Sequence, residues 1–242
     1  MTGIFFPIVK AMELDRKSFL IGAGSALLFP ADLALARQKP ISNLPASSQR
    51  RIAWTIDDGV SNSAVKSYLD LAEKHNLHLT LFVTSCYDSW RKNRSQIKHL
   101  IGTGQIQLGN HTLSHRDLSV SSVGIVRNQL QVCHDFLLGT YGYDARPYFR
   151  PTYGNWTRQV IDVAAELGYT APMMWYGSLG SGTKTEENTY ALAQKWIANG
   201  RIVIDHANTR KTDRSLEQIV GLIKSRGLKT VTLREAFGPN FR

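Results

Sequence analysis

Four short stretches of this sequence hold residue types that can do chemistry together. The first is Thr55-Ile56-Asp57-Asp58-Gly59, where two carboxylates stand side by side before a glycine. Such a pair is also an ordinary turn signal. At the carboxyl end of a strand, however, both side chains can reach a site above a sheet. The second stretch is His111-Thr112-Leu113-Ser114-His115. Histidines four apart share one face of a helical turn, where both rings can reach one metal ion. Two imidazoles with a carboxylate suit zinc and leave positions open for water and substrate; two surface histidines are the plain alternative. In Phe149-Arg150-Pro151-Thr152-Tyr153-Gly154, proline sets a turn and glycine relaxes it, which brings backbone N–H groups toward the mouth of a site. Ile202-Val203-Ile204-Asp205-His206 is an apolar run ending in a histidine, a residue more often structural than catalytic in such a place. His75, His78, His99 and His134 lie in or beside helical patterns and read as bystanders.

These stretches need elements to position them. Strands are expected at Ile52–Ile56, Leu79–Thr84, Ile106–Leu108, Tyr148–Phe149, Tyr169–Trp175, Ile202–Ile204 and Lys229–Thr232. Apolar residues at spacings of three and four mark helices between them: Val65, Tyr68, Leu69, Ala72; then Val160, Val163, Ala164, Leu167; then Leu216, Ile219, Val220, Ile223. Strands alternating with helices define an α/β class with a parallel sheet. Seven such units could close into a small, incomplete barrel, and an open doubly wound sheet is the rival arrangement. All four stretches fall at the carboxyl ends of different expected strands, the rim where α/β enzymes assemble their sites. Four unrelated surface accidents would scatter over both rims.

The chain has 242 residues, enough for one ordinary domain with a sizeable core. Its 29 Lys and Arg outnumber 19 Asp and Glu, for a net charge of +10. That charge is unfocused, with no basic run or nucleic-acid module, so nucleic acid is not an expected partner. Arg16 and Lys17 precede the apolar stretch from Phe19 to Phe29, and Ala34-Leu35-Ala36 has the small-x-small pattern of a signal-peptidase site. The apolar run is too short to span a bilayer comfortably. Residues 1–36 are therefore expected to be a removed signal peptide, with no stable membrane insertion after cleavage, and the protein to be exported to the periplasm or beyond. Residues 37–49 read as a polar linker with two prolines, and 50–242 as the catalytic domain. Two cysteines are too few for a disulfide framework; Cys133 reads as a core residue, Cys86 follows an expected strand, and whether they pair is not fixed by the sequence.

Over residues 50–237 the sequence resembles the polysaccharide deacetylase family, also called carbohydrate esterase family four. Its Thr-Phe-Asp-Asp-Gly motif is matched at Thr55–Gly59 with Ile56 for Phe, and His-Ser/Thr-x-x-His at His111–His115. Arg-Pro-x-Tyr/Phe-Gly is matched at Arg150–Gly154, and Leu-x-His at Ile204–His206 with Ile for Leu. One departure stands out. The family's fourth motif brings an Asp and a Trp after the fifth strand, whereas this chain reads Met173-Met174-Trp175-Tyr176-Gly177-Ser178-Leu179-Gly180, with no Asp between Asp162 and Asp205. Glu186 or Glu187 could substitute.

The resemblance implies a distorted (β/α)7 barrel, TIM-barrel-like, with Zn2+ (or another divalent metal such as Co2+) held by Asp58, His111 and His115. It implies Asp57 as the base, Arg150 as its partner, His206 as the acid and the Tyr153 N–H at the oxyanion. A carboxylate of pKa ~4 faces bulk water near ~16, a gap of roughly 16 kcal/mol that zinc cuts to roughly 4. The implied substrate is an acetylated glycan: peptidoglycan, a chitin-like polymer or an exopolysaccharide losing N-acetyl groups. The competing readings are a xylan-type O-acetyl esterase on the same site and an inactive glycan-binding protein.

Overall fold

Residues 51–58 alternate between two interiors. The computed structural model describes residues 39–180, 185–238 and 241, and the expected signal peptide lies outside these residues. In strand β1, Arg51–Asp58, every residue after the first is buried. Ile52, Trp54 and Ile56 join a large cluster with the surrounding helices, while Ala53 belongs to a second cluster inside the curved sheet. Strand geometry turns Thr55 and Asp57 to the same side as Ala53.

The other strands are β2 Leu79–Val83, β3 Ile106–Asn110, β4 Tyr148–Phe149, β5 Ala171–Pro172, β6 Gly177–Ser178, β7 Arg201–His206 and β8 Lys229–Thr230. Their order is β5-β4-β3-β2-β1-β7-β6, all pairs parallel, with β8 added beside the start of β1. No reversal of order occurs at a switch point, which excludes the doubly wound alternative. Seven strands curl instead into a half-barrel, the distorted (β/α)7 form, whose two end strands β5 and β6 do not pair. Helices α1 Asn62–His75, α2 Ser89–Lys92, α3 Arg94–Gly102, α4 Val123–Tyr141, α5 Arg158–Glu166, α6 Glu186–Trp196, α7 Asp213–Ser225 and α8 Leu233–Phe237 follow in chain order. Ser61, Thr157, Thr185, Thr212 and Thr232 cap five of them by accepting a backbone N–H three residues on. Among the described residues no helix is long and apolar enough to cross a membrane.

Two expectations need correction. The run expected as one strand, Tyr169–Trp175, pairs with β4 only at Ala171–Pro172, and a separate strand β6 follows it. Pro172 has no N–H to give, which suits an end strand. Part of the expected linker is tied to the sheet: Ile41 N–H donates to Pro172 O at 2.9 Å and Leu44 N–H to Gly200 O at 2.9 Å. Residues 41–44 therefore reach from β5 to the start of β7, and the apolar Leu44 is buried in the inner cluster. The cysteines are free, Cys86 exposed and Cys133 buried, where burial pushes the Cys133 thiol up to about 12.

The inner cluster is filled by Phe82, Tyr148 and Met173 above Val231 and Leu233. Phe82 fits because its neighbour on β3 is Gly109; a Cβ there would lie 2.5 Å from the Phe82 ring. Gly109→Ala is accordingly expected to lower the unfolding free energy by about 1–3 kcal/mol through overpacking. Urea denaturation measures this, and an unchanged midpoint would contradict the packing described.

Candidate active site

The carboxyl ends of β1, β3, β4 and β7 surround one cavity of about 410 Å³ lined by Asp57, Asp58, His111, His115, Tyr153 and His206, among others. Five non-glycine residues among those described have left-handed backbone: Asp58 (φ 74°), Thr112 (74°), His115 (56°), Tyr153 (59°) and Asn76 (51°). Asn76 caps a helix; the other four belong to the site stretches. Such conformations cost of order 1–3 kcal/mol each and persist only where the surroundings impose them.

The imposing contacts are visible. Asn110 donates to Leu130 O at 2.9 Å and accepts the Thr112 N–H at 2.9 Å. Thr112 Oγ1 in turn accepts the His115 N–H at 3.0 Å. The expected helical turn at 111–115 is therefore absent, and a loop with two left-handed residues brings the histidines together instead. At Gly59 (φ +95°) a Cβ would sit 2.3 Å from the Trp90 ring, whose Nε1–H donates to Asp58 O at 3.0 Å. Glycine there lets Trp90 close over the Asp58 backbone.

Ligand atoms of Asp58, His111 and His115 all lie within 4.8 Å of one another. Asp58 Oδ1 is 3.3 Å from His111 Nε2 and 3.0 Å from His115 Nε2, yet it is buried and accepts no hydrogen bond. His111 Nδ1–H donates to Arg150 O at 2.8 Å, which leaves Nε2 with its lone pair toward the cavity. Three donor atoms that converge without satisfying one another fit a metal ion, and two imidazoles with one carboxylate are a zinc-type set. Burial would raise the Asp58 carboxyl, but contact with His111 and His115 more than reverses this and holds it far below the usual range. Burial likewise disfavours charged His111, yet Asp57 and Asp58 outweigh it and raise its pKa.

Asp57 faces a different partner. Its Oδ1 lies 2.5 Å from Arg150 Nη1, and its Oδ2 is 3.5 Å from His111 Nε2. Arg150 is fully buried, donating also to Thr55 Oγ1 at 2.9 Å, Met173 O at 3.0 Å and Met174 O at 3.2 Å. Its guanidinium stacks 4.0 Å from the Phe82 ring centre.

His206, across the cavity, directs Nδ1 toward Gly180 O at 3.4 Å. Neither glutamate considered as a substitute partner takes that position: Glu186 accepts from Thr212 Oγ1, and Glu187 lies in the first turn of α6. Tyr153, exposed at the mouth, packs its ring 4.5 Å from that of His115. Of the bystanders, His75 pairs with Glu217, His78 with Glu235 and His134 with Tyr169, away from the site. Sequence reasoning missed Asn208, which donates to Asp58 Oδ2 at 2.6 Å, and gave no role to Trp175, whose ring lines the cavity beside Gly154. No sequence pattern marks Asn208; Trp175 had a signal in the altered fourth motif.

The chain belongs to the polysaccharide deacetylase family: residues 45–172, over half its length, match the family model of that description. The peptidoglycan-N-acetylglucosamine deacetylase PgdA of Listeria monocytogenes is 31% identical over 196 residues, 80% of this chain but only 40% of that protein. The structure of Bacillus subtilis PdaA, a family 4 carbohydrate esterase, aligns with TM-score 0.71 at 21% identity, over 85% of this chain and 88% of that one. A CE4 family pseudoenzyme from Bacillus anthracis aligns with TM-score 0.71 at 20% identity, over 83% of this chain and 69% of that one. These structural likenesses establish the fold.

Arg150 and Asp57 form a buried pair, so removing one partner strands the other. Arg150→Met is expected to lower the unfolding free energy by about 3–5 kcal/mol, and adding Asp57→Asn to recover part of that loss. Chemical denaturation of the single and double variants checks the coupling, which would be absent if the two changes simply added.

Proposed function

We propose that the chain is an exported, metal-dependent hydrolase that removes N-acetyl groups from a polysaccharide. The observation that carries this reading is a cluster of three metal-type donors in the same cavity as an Arg-paired carboxylate. The names of the PgdA and PdaA relatives support acetylated peptidoglycan as the substrate class. Export is read from the pattern of residues 1–36, and the catalytic domain from 50 to 242, with residues 41–44 packed onto its sheet.

In this reading Asp58, His111 and His115 hold Zn2+, with Co2+ suited to the same donors. When bound, the metal acidifies water and polarises the acetyl carbonyl. Asp57 takes the proton of the attacking water, and Arg150 aims its carboxylate through the 2.5 Å contact. The Tyr153 N–H supports the developing oxyanion. His206 protonates the departing amine. Trp175 and Ile204 give the cavity an apolar wall suited to a methyl group.

A pseudoenzyme has the same fold, so activity is argued from side chains and not from shape. A pure glycan binder would need neither Asp57 nor His206 at the cavity, and both line it. The contact of His206 with a neutral carbonyl favours one second reading, an O-acetyl esterase, because an ester's leaving group needs less help from an acid.

Acetate release from N-acetylglucosamine oligomers and from acetylated xylan, with zinc added, tests these readings. Acetate from the amide substrate is expected, lost on chelation with the circular dichroism spectrum retained. Asp57→Asn and His206→Ala should each reduce turnover by about 10²–10⁴-fold. Full turnover by metal-free protein would end the metal mechanism, and acetate from xylan alone would select the esterase.

Zinc affinity should also depend on pH with a definite sign. His111 is held above the ordinary histidine pKa, so below that value a proton occupies the nitrogen a metal needs. Apparent affinity is expected to rise with pH through and above the ordinary histidine pKa of about 6.5, levelling off once the raised value is passed, by up to about tenfold per pH unit for each proton displaced. Titrations with a competing chelator would show it, and a flat profile would contradict the assignment of His111 as a ligand.

A further inference from the structure

We propose that Asn208 is a positioning residue that makes Asp58 present a single oxygen to the metal, and that it couples metal affinity to the turn carrying His206. The inference rests on reading Asp58, His111 and His115 as a metal site. The two oxygens of Asp58 have separate surroundings. Oδ1 faces the two imidazole nitrogens and accepts no hydrogen bond, while Oδ2 accepts the Asn208 Nδ2–H at 2.6 Å. Chemistry settles which end of the amide faces Asp58: its oxygen turned that way would set acceptor against acceptor. Among the described residues no other side chain donates to Oδ2. With Oδ2 turned to Asn208 and Oδ1 without a partner, Oδ1 is the oxygen presented to a cation.

The main chain of Asp58 is already held in its left-handed conformation, with Trp90 on its carbonyl. What remains free is the rotation of the carboxylate, and Asn208 removes it. Asn208 can do so because its own turn is stitched to β1 and to the cap of α1: Ala207 N–H donates to Asp57 O at 2.9 Å, and Ser61 N–H to Ala207 O at 3.0 Å. Its amide oxygen is buried with no partner, so Asp58 is also what orients Asn208. Asn208 stands two positions beyond His206. A metal that fixes Asp58 therefore steadies the 206–208 turn, and a well-ordered turn strengthens the metal site by the same free energy.

The test measures zinc affinity by chelator competition and the visible absorption of the Co2+ protein, with circular dichroism to confirm folding. Asn208→Leu keeps the branched shape, slightly enlarged, but has no donor. It is expected to weaken zinc by about 10–100-fold and to change the Co2+ spectrum, because the freed oxygen joins the coordination. Asn208→Ser, smaller but still a donor, is expected to fall between Leu and the unaltered protein. If Leu matches the unaltered protein in affinity and spectrum, the side chain merely fills space and the inference is overturned. If Leu lowers affinity and Ser lowers it further, size and not hydrogen bonding is at work, and the inference is equally overturned. Failure of the unaltered protein to bind zinc or Co2+ would instead remove the metal site itself.

Discussion

A guanidinium sealed from water must find a partner for each donor it points inward, and that requirement organises the mouth of this barrel. Arg150 spreads its donors over Thr55 and Asp57 on β1 and over the carbonyls of Met173 and Met174 beyond β5. Its own carbonyl accepts His111 Nδ1–H from the end of β3, and its flat face rests on Phe82 of β2. One side chain thus relates strands that are distant in sequence. The orientation of the proposed base and the tautomer of a proposed metal ligand both depend on where it sits. Displacement by even an ångström would leave a buried charge without its partner, a far larger penalty than any one neighbouring contact could offset.

The same mouth concentrates backbone strain. Four left-handed non-glycine residues lie within the site stretches, where Asn110, Thr112 and Trp90 hold the loops by side-chain contacts to the main chain. Helix α1, by contrast, has its strained residue only at a C-cap, where left-handed backbone is the usual ending. Strain at the rim is tolerable because the outer cluster, from Trp54 through Tyr68 to Ile219, and the inner cluster around Phe82 supply the packing. Precise placement of donors is thereby separated from the task of keeping the chain folded.

How much of this was legible in the sequence follows from range. The strand and helix alternation was readable because burial on two faces leaves a periodic trace, and the site stretches because they sit at strand ends. Asp57, Asp58, His111, His115, Arg150, Tyr153 and His206 all come to line or border the one cavity. What could not be read depends on contacts between distant residues. Nothing local says that Asn208 meets Asp58 across 150 positions, or that Ile41 bridges to Met173. The local form of His111–His115 was misread for a related reason. Spacing of four suits a helix, but Asn110 and Thr112 capture the backbone N–H groups that a helix would have used.

Strand β7 explains the division of labour around His206. Alternation sends Ile204 and His206 into the cavity and Asp205 to the opposite face. Asp205 is fully buried there, accepting the Tyr68 hydroxyl at 2.7 Å, the Lys211 ammonium and the His206 N–H at 3.0 Å. Burial first, and the Asp205 charge with it, drives the Tyr68 hydroxyl well above its ordinary pKa, so it stays a donor to that carboxylate. The carboxylate nearest in sequence to His206 is thus committed to holding its main chain and does not reach its ring. The ring finds the Gly180 carbonyl instead. A carbonyl orients an imidazole as a carboxylate does, but it brings no net charge to stabilise the protonated form. In this chain the ring of His206 is therefore oriented by a main-chain carbonyl that places no net charge beside it.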